Sequence, residues 1–192
     1  MSIVRPLVPP ILALLAICLP CALPAWAGAA GAKESASVTL QGTKGEPVGE
    51  AVLTETPHGV LVTATLHDLP PGDHAFHIHE HGKCVAPFDS AGGHFNPKKM
   101  HHGFLNPQGA HAGDMPNVTI QGDGKAKVEV LAPGVTLAKG KPGSLFGGEG
   151  TSLVVHAAAD DYSSDPAGNA GSRIACGVIE SRTTAAADRP PR

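Results

Sequence analysis

Between residues 60 and 66 the chain places Val60, Val62, Ala64 and Leu66 on every second position, with Leu61, Thr63 and Thr65 between them. In an extended chain residues i and i+2 share a face, so this spacing builds a half-buried β-strand and leaves a helix with no coherent apolar side. Val38 and Leu40, then Val48 to Thr54, repeat the period. Pro70-Pro71-Gly72-Asp73 reads as a turn, Ala75 to Glu80 as a further strand, and Asp123-Gly124 as a hairpin turn between Val118/Ile120 and Val128/Val130. Leu153/Val155 mark another strand, and a last one is expected near 173–180. Glycine (24) and proline (18) are abundant, aromatics make up only 4%, and no internal repeat or amphipathic helix competes with this reading. Two stretches, about 81–116 and 159–172, are irregular. The expected fold class is all-β: an eight-stranded Greek-key β-barrel or sandwich with two long loops.

The first 27 residues read as a secretory signal peptide. Arg5 supplies a positive start, Ile11 to Leu19 a short apolar run, and Ala25-Trp26-Ala27 a cleavage site. That run is about half of the roughly 20 residues a membrane span needs, so no span is expected in the mature form. A lipoprotein signal at Cys18 or Cys21 fits poorly, because Ile17 and Pro20 precede them. Residues 28–34 read as a flexible lead-in, 35–181 as the β-domain and 182–192 as a disordered tail. The net charge is −3, and −4 once Arg5 is removed, so nothing favours nucleic acid as a partner. Cleavage would leave two of the four cysteines, Cys84 and Cys176. An exported chain with two cysteines tends to join them, closing a loop whose entropy corresponds to about 4–5 kcal/mol; two buried free thiols are the alternative.

All but one of the eleven histidines fall between His58 and His111. His77 and His79 sit two apart on an expected strand and so project together, while Phe76 and Ile78 face the core. Two imidazoles side by side on a rigid strand are half a site for copper or zinc. The irregular loop that follows holds His94, His102, His111 and Asp114, three imidazoles and a carboxylate that suit a tetrahedral zinc. Such an ion would also order a long glycine-rich loop, since metal-binding energy becomes folding energy. Taken singly, each of these histidines has a bland reading as a solvated loop residue.

Five segments carry a family resemblance. Residues 75–81 (AFHIHEH) resemble the first copper motif of the copper,zinc superoxide dismutases. Residues 93–97 (GHFNP) resemble their bridging-histidine motif, 111–117 (HAGDMPN) the end of their zinc loop, 154–156 (VVH) the strand with the fourth copper ligand, and 168–179 (GNAGSRIACGVI) their C-terminal signature. The likeness runs in order from about 38 to 180. It implies an enzyme that dismutes superoxide to dioxygen and hydrogen peroxide, with one copper and one zinc per subunit. Copper would be held by His77, His79, His94 and His156, and zinc by His94, His102, His111 and Asp114, with His94 joining the two ions. Asp160 would link a copper ligand to a zinc ligand, and Cys84–Cys176 would be the family's intrasubunit disulfide. The resemblance favours His102 over the adjacent His101, because Gly103 follows it and the separations along His94, His102, His111 and Asp114 are 8, 9 and 3.

The resemblance further implies that Arg173, three residues before Cys176, guides the anionic substrate; a planar, permanently charged guanidinium suits that task. An ordinary surface arginine at a strand start is the bland alternative. The loop Ala159–Gly171 has no lysine where the eukaryotic branch carries charged steering residues, and Lys98 and Lys99 are the candidates to replace them. His81, on the side of His77 and His79, reads as solvated; His58, His67 and His74 read as ordinary. The expected location is outside the cytoplasm, in the periplasm, with secretion or surface attachment as alternatives. A homodimer is compatible with the family, as is a monomer. The rival function is a non-catalytic copper- and zinc-binding protein on the same fold, such as a copper carrier, or a β-sandwich that uses its loop for zinc alone.

Overall fold

A computed structural model of the chain describes residues 34–182. The expected signal segment, almost all of the lead-in and the tail beyond Arg182 lie outside the described residues. Ten strand segments follow one another: β1 (Ser35–Gly42), β2 (Pro47–Thr56), β3 (Gly59–Leu66), β4 (Gly72–His74), β5 (Phe76–His79), β6 (Val118–Ile120), β7 (Ala126–Ala132), β8 (Ser152–His156), β9 (Arg173–Val178) and β10 (Glu180–Arg182). Only Ala75 separates β4 from β5, and only Ile179 separates β9 from β10, so the ten segments make eight extended runs. Arg182, which the sequence assigns to the tail, closes β10 opposite Ser35. Among the described residues there is no α-helix, only a single 3-10 turn at Asp89–Ala91.

The main sheet runs β5-β8-β9-β1-β2-β3-β7, with β10 also on β1, and a second ladder pairs β4 with β6. Every ladder is antiparallel. The run β4–β5 therefore has two neighbours: β6 beside its first half and β8 beside its second. The chain leaves β3 for β4, and β7 returns to pair with β3, which is the Greek-key connection. The Asp123-Gly124 turn forms, closed by Gly124 N–H to Gln121 O at 2.9 Å and Gln121 N–H to Lys125 O at 2.8 Å. The strands it joins do not form the expected hairpin ladder. β6 pairs with β4 and β7 with β3, so this turn sits at the seam of the curled sheet.

The alternation read in the sequence sets the core. Leu40, Leu53, Val62, Leu66, Phe76, Ile78, Leu153 and Val155 point inward and are fully buried. Burying each such side chain contributes about 1.5–3 kcal/mol relative to leaving it in water. Yet every residue of β5 and β8 is buried, those on the outer face included. The two long loops cover that outer face. There Val154 and Cys176 join Phe88, Ala91 and Cys84 in a second apolar cluster, pinned by the Cys84–Cys176 disulfide across 92 residues.

Candidate metal centre

On this covered outer face β5 presents His77 and His79, and the end of β8 presents His156. His94 is brought beside them by an isolated antiparallel bridge to His79, in which Phe95 N–H donates to Ile78 O at 2.8 Å and Glu80 N–H to Gly93 O at 2.9 Å. One nitrogen from each of His77, His79, His94 and His156 can be chosen so that all four lie within 4.8 Å of one another. A second set, His94, His102, His111 and Asp114, meets the same limit and shares His94. His101 belongs to neither set.

The hydrogen bonds fix which atom each ring has to offer. His79 Nδ1 donates to Gly92 O at 3.0 Å and His156 Nδ1 to Gly171 O at 3.4 Å. Both rings thus turn Nε2 inward, and those two nitrogens stand 3.3 Å apart with no proton to place between them. His77 Nε2 donates to Asp160 Oδ2 at 2.8 Å, leaving Nδ1, which is buried without a partner. His94 sets Nδ1 2.8 Å from Asp114 Oδ1, and its Nε2 is likewise buried without a partner. Buried polar nitrogens without a partner are costly, and facing lone pairs repel. A soft cation accepting all four relieves both costs, so the residues fit a copper ion. On the other side Asp114 Oδ1 also approaches His102 Nδ1 (3.1 Å) and His111 Nδ1 (3.4 Å), a three-nitrogen, one-oxygen set suited to zinc.

Around these atoms the protein supplies orientation. The Asp160 carboxylate bridges His77 Nε2 and His102 Nε2, at 2.8 and 3.0 Å, and so couples the two sets. Its own backbone is clamped by the Asn117 side chain, which accepts from Asp160 N at 2.8 Å and donates to Asp160 O at 2.9 Å. Arg173 donates to Phe88 O at 2.5 Å and to Gly92 O at 2.6 Å, so the Gly92 carbonyl serves both the guanidinium and His79. Lys98 and Lys99 are exposed on the first loop.

Sequence reasoning missed two partners. His74, read as ordinary, is buried, with Nδ1 2.8 Å from His156 O and Nε2 2.9 Å from Pro70 O. Asn117 lay inside a motif noted for its histidine and aspartate. Its Asn-Val step into a strand carries no sign of a partner 43 residues away. His58 is exposed and His67 partly so; His81 lies between Glu80 and Glu149 at the surface, outside both sets.

Electrostatics of the metal-free site follow from burial. It lowers His94 to about 4 against the pull of Asp114. Burial and the neighbouring His77 lower His156 to about 3, and burial holds His79 well below its ordinary value. For His102, burial is outweighed by its bonds to Asp114 and Asp160, and its value rises to about 9. Burial also opposes ionisation of Asp114 and Asp160, but the imidazoles hold both well below the usual carboxylate range. A ring kept neutral by burial is a ready ligand, since no proton need be displaced.

Comparison with known proteins gives the family of the chain. The family model described as copper/zinc superoxide dismutase (SODC) matches residues 48–179. Superoxide dismutase [Cu-Zn] 1 of Aquifex aeolicus is 58% identical over 139 residues, covering 71% of this chain and 82% of that protein. The Cu/Zn superoxide dismutase structure from Brucella abortus superposes with a TM-score of 0.63 at 37% identity, covering 77% of this chain and 100% of that one. A SOD-like protein from Bacillus subtilis superposes with a TM-score of 0.72 at 39% identity, covering 74% of this chain and 96% of that one.

Proposed function

Because the chain belongs to the copper/zinc superoxide dismutase family, we propose that His77, His79, His94 and His156 hold its copper and that His94, His102, His111 and Asp114 hold its zinc. The protein is a superoxide dismutase: two superoxide anions and two protons become one dioxygen and one hydrogen peroxide. Bound copper supplies the one-electron couple that this reaction needs and that zinc lacks. The remaining work falls to the chain. Arg173, half-buried and held by two carbonyls, offers a fixed positive charge to an arriving anion. His94 stands between the two sets with Nε2 toward the copper ligands, so this is the atom at which a proton can be held between the half-reactions and given to the reduced product. Asp160 keeps His77 and His102 in fixed tautomers.

One observation carries the ligand reading: a single imidazole belongs to both clusters, with one ring nitrogen in each direction. Metal analysis of the reconstituted protein together with superoxide turnover tests it. The expected result is one copper and one zinc per chain, with turnover lost in His77→Ala and zinc content lost in His111→Ala. Full copper loading without turnover would point to a copper carrier on the same fold.

Export is part of the proposal. The disulfide suits an oxidising compartment, and the bacterial relatives are of the same family. We assign the mature protein to the periplasm, after cleavage behind Ala27. Among the described residues no helix is long and apolar enough to cross a membrane. Mass spectrometry of the protein from cell fractions checks the cleavage site and the compartment together, and sedimentation of the loaded protein decides between monomer and homodimer.

A further inference from the structure

His101, the alternative zinc ligand in the sequence, has a different set of contacts. Its Nδ1 pairs with Asp165 Oδ2, in the second long loop. The other oxygen of the same carboxylate, Oδ1, accepts the backbone N–H of His102 at 2.6 Å. The neighbouring residues are docked in the same place: Leu105 N–H donates to Tyr162 O at 2.9 Å, and the Phe104 and Tyr162 rings lie 5.6 Å apart. Gly103, at φ +98°, lies so close to the Tyr162 carbonyl that a side chain there would collide with it. The segment 101–105 is thus seated on 162–165.

We infer that His101 and Asp165 form a clasp between the two loops that positions His102 for zinc, and that His101 is a positioning residue rather than a ligand. The inference rests on the assignment of His102 to zinc. His102 is held at two points besides the metal: its ring by Asp160 at Nε2, and its backbone by Asp165. Fixing both ends of a side chain with two torsions leaves Nδ1 one direction, toward Asp114. His101 orients the Asp165 carboxylate for that task, and its side chain, 52% exposed, pays little desolvation to do so.

Chelator competition for zinc, on the full mature chain, tests the clasp. Loss of such outer partners typically weakens a metal site by about 10- to 100-fold. Asp165→Ala is expected at the lower end of that range and His101→Ala at a few-fold. The double variant should be no weaker than Asp165→Ala, because both substitutions open one clasp. Asp165→Asn keeps an acceptor for His102 N–H and should recover most of the affinity. Cobalt(II) placed in the zinc site should show an unchanged visible spectrum in His101→Ala, since the ligands are the same. A changed cobalt spectrum with loss of zinc stoichiometry in His101→Ala would make it a ligand and end the proposal. So would parent-like zinc affinity in both Asp165→Ala and His101→Ala. Failure of the underlying assignment is separable: it would appear as parent-like zinc binding in His102→Ala.

Discussion

At the scale of single residues, the site is a problem of which atom carries the proton. Carbonyls of Gly92 and Gly171 take the Nδ1 protons of His79 and His156, and Asp160 takes the Nε2 proton of His77, so each ring keeps its lone pair for the interior. Arg173 is fixed in the same way, by the carbonyls of Phe88 and Gly92. Burial lowers its pKa, and Asp89, next to Phe88 and exposed, is the charge that opposes that shift. The carboxylate that steadies the cation also repels an anionic substrate. Asp89→Asn is therefore expected to raise the superoxide rate constant about two-fold at low ionic strength and to leave it unchanged in high salt, where the Debye length falls to about 3 Å. Arg173→Ala is expected to lower it on the order of tenfold and to flatten its salt dependence. Pulse-radiolysis rates across a salt series measure both. An Asp89→Asn rate equal to the parent's at every salt concentration would remove Asp89 from the approach path.

At the scale of elements, two rigid strands and two irregular loops divide the labour. β5 and β8 hold His77, His79 and His156 on a paired backbone, while the loops add the remaining ligands and the lid. One point where they meet is Gly168, at φ +65°, where an added Cβ would collide with Asp160 Oδ1 and lie 2.8 Å from His102 Nε2. Gly168→Ala should push the Asp160 carboxylate off both histidines. Copper and zinc affinities are then expected to fall together, each by about tenfold or more, as read by competition titrations for the two metals. Loss confined to one metal would show that Asp160 does not couple them. This division also explains what the sequence could and could not reveal. Strand periodicity is local, so β1, β2 and β3 and the outward pair His77/His79 were legible from spacing alone. The ligand set in the loops was legible only through motifs. What stayed hidden was long-range: the seam that splits Val118/Ile120 from Val128/Val130, the clamp of Asn117 on Asp160, and the seat of His101 on Asp165. Nothing in the spacing of residues 43 or 64 apart announces a hydrogen bond, and the resemblance that favoured His102 over His101 gave no role to the histidine it passed over.

At the scale of the whole molecule, the metal site is where folding and titration meet. An unfolded histidine titrates near 6.5. In the metal-free protein His94 and His156 are lowered to about 4 and about 3 by burial, so below pH 6.5 the unfolded chain takes up protons that the folded one refuses. Their stabilisation is present above pH 6.5 and is lost as pH falls toward 4 and 3. His102 has the opposite sign. Raised to about 9 by Asp114 and Asp160, it keeps a proton in the fold that the unfolded chain has released. Its contribution is complete below pH 6.5 and disappears as pH rises through 9. The metal-free, disulfide-intact protein should therefore be most stable near pH 6.5 and weaken on both sides. Zinc takes the place of the His102 Nδ1 proton, so loading should abolish the alkaline decline while sharpening the acid one, where protons compete with both metals for the same nitrogens. Urea midpoints from pH 5 to 9.5, with and without metals, trace the two curves. A metal-free midpoint that climbs steadily through pH 9 would mean that the carboxylates do not hold a proton on His102. The buried bridge from Asp160 through His102 to Asp114 would then have to be built from a neutral ring even without an ion.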